Sequence, residues 1–269
     1  MLTRNNDFTL PLRLDFPDTK KYLFTFITLF ILLLASYSNS FHGQWHFDDF
    51  PNIVENTNIR IKSFSLEEMK GSVTGVYTKR SARPLAYLSF AINYKFGGLD
   101  IFYFHLVNFF IHYLTALFLF LFIYNLLKVP LLKERYAHMS YSVALIATII
   151  WAVHPLHVST VSYIVQRMSA MAALFYIMSM YFYLKARMSQ KIHLSVLLFA
   201  LCILSALASF LSKENSALLP AAILLIELLL IRGAGKDNLL KLGKYLIVPL
   251  LFVVVIGYIY TGGFLNAFA

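Results

Sequence analysis

The stretch FYFHLVNFFIHYLTALFLFLFIYNL (102–126) decides the fold class. At ~1.5 Å of rise per residue it is long enough to cross the ~30 Å hydrocarbon layer of a bilayer as one helix. Its apolar residues run continuously instead of alternating, which argues against a membrane β-barrel strand. Comparable runs lie at about 22–40, 141–157, 168–184, 193–211, 216–231 and 245–261. The chain as a whole is 59% hydrophobic and 13% charged, against about 25% charged in soluble domains. The expectation is an all-α, polytopic transmembrane helical bundle of about seven spans. Without a repeat, a low-complexity tract or a linker, residues 1–269 read as one domain. The lone cysteine, Cys202, excludes an intrachain disulfide.

The net charge is +10, from 23 basic and 13 acidic residues. In a soluble chain this would suggest nucleic acid; in a membrane protein it orients the spans, and no nucleic-acid partner is expected. Arg4, Arg13, Lys20 and Lys21 precede the first span, and Lys128, Lys133 and Arg135 follow the second. Lys185, Arg187 and Lys191, then Arg232, Lys236, Lys241 and Lys244, fall in later loops of the same side. The short turns between these carry only Arg167 and Lys213. The positive-inside rule then puts the N-terminus in the cytoplasm and a long loop, about 41–101, on the periplasmic or luminal side. The leading segment is long and contains acids, and more spans follow; both favour a retained anchor over a cleaved signal peptide. Within the loop, Ser65-Leu66-Glu67-Glu68 fits a capping box that starts a short helix. Pro84–Phe96, too short to span, is expected to lie on the membrane surface as an interfacial helix.

The outward polar residues are few. They are Asp48-Asp49, Lys79-Arg80, Arg83, His105 with Asn108 and His112, His154 and His157, Gln166-Arg167, and Ser212-Lys213-Glu214-Asn215. The topology returns all of them to one face of the bundle, and ionisable groups at membrane depth mark functional sites by default. The adjacent carboxylates Asp48 and Asp49 suit a general base; a solvated loop pair or a helix-start signal is the bland alternative. Arg83 either anchors a helix to headgroups or binds an anion. His105, Asn108 and His112 form one helical stripe, suited to interhelical hydrogen bonds or to facing the substrate. His154 and His157 lack the further ligands a metal site needs, so no cofactor is expected and a divalent metal is left open. Arg167, Lys213 and Glu214 sit where snorkelling, a local salt bridge or a lipid phosphate would each fit. A base beside several cations is compatible with transfer from a lipid-phosphate donor.

Taken in order, the motifs resemble the N-terminal part of the transmembrane and tetratricopeptide-repeat family of O-mannosyltransferase-like proteins. They are Asp48-Asp49-Phe50-Pro51-Asn52-Ile53-Val54-Glu55-Asn56, Arg83-Pro84-Leu85 through Asn93-Tyr94, and Gly97-Gly98-Leu99 with His105-Leu106-Val107-Asn108. His154-Pro155-Leu156-His157 with Arg167 and Ser212-Lys213-Glu214 complete the set, which runs from about 45 to 230. The resemblance implies the multi-spanning GT-C glycosyltransferase fold and an incomplete domain at residue 269. It implies a polyprenyl- or dolichyl-phosphate sugar donor, a protein or glycan acceptor and an active face away from the cytoplasm. Asp48 or Asp49 would be the base, with Asp48 preferred. Arg83, Arg167 and Lys213, with His154 and His157 nearby, would contact the lipid phosphate. His105, Asn108 and Glu214 would face the substrate. Some relatives have an acid shortly after the arginine matching Arg167; here Met168-Ser169-Ala170 follows. The alternatives are a non-catalytic membrane protein that binds lipid phosphate or sugar and, with less support, a transporter, which would want charges at the midplane and paired halves.

Overall fold

The computed structural model describes residues 18–73, 83–233 and 235. The expected span at 245–261, the Lys79-Arg80 pair and the basic residues Arg4, Arg13, Lys236, Lys241 and Lys244 lie outside them. Among the described residues all regular structure is helical. The helices of the first half are α1 (Asp18–Tyr37), α2 (Leu66–Ser72), α3 (Pro84–Gly97), α4 (Ile101–Leu126) and the single turn α5 (Lys133–Tyr136). Those of the second half are α6 (Ser140–Ala152), α7 (Val158–Ser162), α8 (Arg167–Met188), α9 (Ile192–Ser212) and α10 (Leu219–Leu225), the last continued by a π-helical segment, Ile226–Arg232.

Four stretches are long and apolar enough to cross a membrane: Thr19–His42, Ile101–Leu126, Ile192–Ser212 and Glu214–Arg232. They make the chain an integral membrane protein and coincide with four of the expected runs. A fifth would be the broken pair Lys133–Ala152 and Pro155–Ser162, bent by 52°. The break follows from Pro155, which lacks an N–H and holds His154 in extended backbone at ψ 133. Helix α8 has 22 residues, yet its serines, tyrosines and terminal Lys185 and Arg187 leave it less apolar than these. It packs between α4 and α9. Helix α1 shows how the spans are partitioned: Leu29 and Leu33 are fully buried, while Leu23, Ile27 and Ile31 form an exposed stripe at four-residue spacing.

The long loop folds onto the bundle. Ile53, Ile59 and Ile61 pack with Ala86, Tyr87, Phe90 and Ala91 of α3, Phe104 of α4, and Ile164, Val165 and Met168 before and within α8. Ser65 caps α2, its hydroxyl accepting the Glu68 N–H at 3.3 Å. The reciprocal half of the expected box is not made. Glu68 instead accepts the N–H groups of Ser63 at 2.8 Å and Lys62 at 2.6 Å, and these bonds hold its carboxyl below the usual range. Helix α3 begins with Pro84 at its first turn and ends where Gly98 adopts φ +58, a value that side chains other than glycine rarely take.

Arg167 holds these parts together. It is fully buried. Its Nε donates to Asn108 Oδ1 at 2.7 Å and its Nη2 to Asn93 Oδ1 at 2.7 Å and the Phe104 carbonyl at 2.9 Å. Nη1 donates to the Ser89 carbonyl at 3.3 Å. The rings of Phe90 and Phe104 lie 4.7 and 5.4 Å from the guanidinium carbon, near enough for cation–π attraction. One side chain thus ties α3, α4 and α8. Replacing Arg167 by Ala leaves the two asparagine oxygens buried and unpaired, which is expected to cost about 3 kcal/mol or more. Arg167→Lys, with a point charge and no planar fork, recovers only part of this. Thermal unfolding of the detergent-solubilised variants measures both.

Candidate active site

The acidic turn is built from His46 to Asp49, closed by the Asp49 N–H donating to the His46 carbonyl at 2.8 Å. The two carboxylates do different work. Asp49 is fully buried; its Oδ2 accepts the His46 N–H at 3.0 Å and its Oδ1 the Val165 N–H at 2.7 Å. Burial pushes its carboxyl above the usual range, opposed by these two N–H groups. Asp48 is exposed, and among the described residues only its backbone is engaged. Its N–H donates to the Tyr163 hydroxyl at 2.9 Å and its carbonyl accepts from Asn52 Nδ2 at 2.7 Å. The turn is therefore stapled to residues 163–165, more than a hundred positions away in sequence, and the Asp48 carboxylate is left facing outward.

The same short segment leads into a second group. Ser169, in the first turn of α8, accepts from Lys213 Nζ at 2.7 Å and donates to Gln166 Oε1 at 2.7 Å. Burial, with the positive charge of Arg83 adding to it, lowers the Lys213 pKa below the usual lysine value against the pull of Glu214. Arg83 pairs with Glu214 through two hydrogen bonds of 2.7 and 3.0 Å and also reaches the Met168 sulfur at 3.3 Å. Beside Lys213 opens a cavity of about 380 Å³. Ser169, Lys213, Asn215, Ser216 and His157 supply its polar groups; Trp151, Ala172, Ala173, Tyr176 and Ile177 supply its apolar wall. It is amphipathic, with a cation at one edge and a greasy helix face along α8.

The sequence-predicted residues thus divide. The structure brings Asp48, Asp49, Arg83, Lys213 and Glu214 around the segment 163–169, with His157 on the cavity. His154 is elsewhere occupied: its Nδ1 accepts the Leu156 N–H at 3.2 Å, capping its own turn, and it does not line the cavity. Arg167 requires a correction. An arginine expected at the rim, on a lipid headgroup, is instead buried and spends its donors on protein oxygens. The segment before α8 dips into the bundle, and Asn93 and Asn108 lie where the guanidinium can satisfy itself. Asn108, expected to face substrate, faces Arg167 and the carbonyls of Val161 and Ile164. Glu214 faces Arg83. His105 is buried, and among the described residues neither ring nitrogen has a hydrogen-bond partner; a Cβ on Gly43 would come 2.9 Å from its Nε2. His112 bonds the Ala152 carbonyl at 2.9 Å and stacks on Trp151. Among the described residues no group of three or more metal-binding side chains could hold a metal ion. Ser169, Trp151 and Tyr176 escaped sequence reasoning, because a serine or aromatic residue in an apolar run looks like packing.

These features define a helical membrane protein with an acidic turn and a cation-edged cavity sharing one end of the bundle, where α3, α4 and α8 begin and α9 ends. Sequence comparison places relatives beside it. The human protein O-mannosyl-transferase TMTC4 is 30% identical over 221 residues, 78% of this chain and 29% of its own length. The Xenopus laevis protein O-mannosyl-transferase tmtc2 is 36% identical over 124 residues, 46% of this chain and 13% of its own length. The mouse protein O-mannosyl-transferase TMTC1 is 30% identical over 149 residues, 53% of this chain and 15% of its own length. The chain is TMTC-like, related to the N-terminal part of these proteins, and spans less than a third of their length. No family model and no solved structure matches it.

The division of labour between the carboxylates has a measurable consequence. Asp49→Asn replaces one acceptor oxygen by an NH₂ group that meets a backbone N–H, and is expected to lower the unfolding temperature by several degrees. Asp48→Asn is expected to leave it unchanged. Equal effects in a thermal scan of the two variants would overturn the assignment.

Proposed function

We propose that the chain is the donor-binding part of a membrane glycosyltransferase. It moves a mannose-like sugar from a polyprenyl- or dolichyl-phosphate donor to a hydroxyl of a protein or glycan acceptor, on the periplasmic or luminal face. The helices form a GT-C-type bundle of about seven spans. The observation that carries this reading is the cavity beside Lys213, whose polar edge and apolar α8 wall match a lipid phosphate, one helical turn from the residue that anchors the acidic turn. The names of the relatives, protein O-mannosyl-transferases, support the reaction class.

In this reading the tail of the donor lies along Ala172, Ala173 and Ile177 and the phosphate meets Lys213 and Ser169. The acceptor hydroxyl gives its proton to Asp48 as its oxygen attacks the anomeric carbon. The bond from that carbon to the phosphate oxygen breaks, and the lipid phosphate leaves with the electron pair and an additional negative charge, which Lys213 offsets. Asp48 suits the base because its carboxylate hydrogen-bonds no described residue, whereas both Asp49 oxygens are taken by backbone N–H groups. Arg83, shared with Glu214, adds positive potential at the polar edge.

Full-length protein in liposomes, supplied with polyprenyl-phosphate mannose and a threonine-containing peptide, tests the scheme. Asp48→Asn is expected to cut transfer by roughly 10²–10⁴-fold, the usual worth of a positioned base, with donor binding retained. Undiminished transfer in that variant would remove the base; wild-type donor binding without any transfer would leave a lipid-phosphate-binding protein.

Lys213 supplies a pH signature. Only its protonated form attracts phosphate, and its pKa lies below the usual lysine value. Donor affinity is therefore full below that depressed pKa and falls as pH rises through it, before an ordinary lysine would deprotonate. Lys213→Arg, charged throughout, is expected to move this alkaline limb upward. A limb that stays in place would exclude Lys213 as its origin.

A further inference from the structure

The side chain of Phe47, in the acidic turn, is used by neither the fold nor the proposed chemistry. Phe47 is the one non-glycine residue with positive φ among the described residues, at +38. It occupies the second position of the His46–Asp49 turn, where a positive φ favours glycine, asparagine or aspartate. A bulky side chain there is held against its backbone preference. Ordinarily such a cost is offset by packing, but Phe47 is 84% exposed. Its ring therefore contributes little inside the molecule. The surroundings hold the strain in place: Asp49 clamps the backbone of His46 on one side and Tyr163 holds the Asp48 N–H on the other. The ring is displayed in a fixed place, next in sequence to the exposed Asp48. Local rules broken without an internal gain point to function.

We propose that Phe47 contacts the acceptor: its ring takes an apolar side chain or backbone stretch of a polypeptide whose hydroxyl reaches Asp48. The proposal rests on the transferase reading and adds to it where the acceptor docks. Phe47 does not line the cavity assigned to the donor, so the donor lipid has no claim on it. The bilayer is a poor occupant too. Burying this ring in hydrocarbon would carry the neighbouring exposed Asp48 carboxylate toward it, at a cost larger than the gain from one ring. A lipid anchor also needs no strained backbone, as Leu23, Ile27 and Ile31 show on a regular helix. A polypeptide at the water boundary suits both neighbours. A rigid aromatic ring, with few rotors to freeze, is an economical anchor for it.

The test compares Phe47→Gly, which relaxes the turn and deletes the ring, with Phe47→Tyr, which keeps the ring, in full-length protein in liposomes. Phe47→Gly is expected to keep or raise the unfolding temperature. It should raise KM for the threonine-containing peptide about tenfold, the effect of losing one modest contact, with donor KM unchanged. Phe47→Tyr should restore the peptide KM. A lower unfolding temperature in Phe47→Gly, an unchanged peptide KM, or a rise in donor KM would each overturn the proposal. If the wild type transfers no sugar, the transferase reading fails separately. Benzoylphenylalanine placed at position 47 then decides: photolabelling of the peptide in the presence of vesicles supports the contact, and labelling of lipid alone, or of neither, overturns it.

Discussion

A guanidinium sealed inside a helical bundle must satisfy its donors from the protein, and the structure around Arg167 is organised by that requirement. Asn93 and Asn108 turn their oxygens toward it, and the Ser89 and Phe104 carbonyls complete the set. Each acceptor lies on α3 or α4, so α8 can start in only one place relative to both. The aromatic faces of Phe90 and Phe104 serve as a further shell for the charge. The core under the loop grows from the same residues, since Phe90 and Phe104 pack against Ile53, Ile59 and Ile164. Arg167 thereby sets the height and angle of the segment 163–169 on which the site is mounted.

That segment serves two partners. Its backbone and Tyr163 hydroxyl receive the acidic turn, while Ser169, itself donating to Gln166, receives Lys213. A carboxylate enclosed with two N–H donors orders a loop; a neighbouring one left to solvent is available for chemistry. The adjacent pair divides these tasks because Asp49 alone meets the N–H groups of His46 and Val165. Lys213 occupies an intermediate position, buried enough to feel desolvation yet lining an open cavity. Its bond to Ser169 holds the ammonium in place without neutralising it.

The cavity is amphipathic because α8 is. Small residues, Ala172 and Ala173, leave room where a larger side chain would fill it, and Trp151 and Tyr176 add aromatic lining. The polar rim comes from Lys213, Asn215 and Ser216 after α9, with Ser169 of α8 and His157. A ligand with one anionic group and an apolar chain satisfies both surfaces at once, which neither a free sugar nor a plain lipid would do.

Much of this was legible in the chain. Continuous apolar runs of spanning length dictate helices, because a backbone in hydrocarbon can satisfy its own hydrogen bonds in no other single segment, and four of the expected runs appear as helices of that length. The Ser65 cap and the end of α3 at Gly97-Gly98 are local effects of single residues and could be read locally, whereas the run expected at 141–157 is broken at Pro155. The prominence of Asp48-Asp49 followed from the scarcity of acids. The roles within the pair, the burial of Arg167 and the engagement of Asn108 could not be read this way. Each depends on which distant atom a side chain reaches: Val165 for Asp49, Asn93 for Arg167, Arg167 for Asn108. Residue type and spacing determined what this chain could place in a membrane; only long-range packing, by supplying or withholding hydrogen-bond partners, decided which charges support the fold and which are left to act.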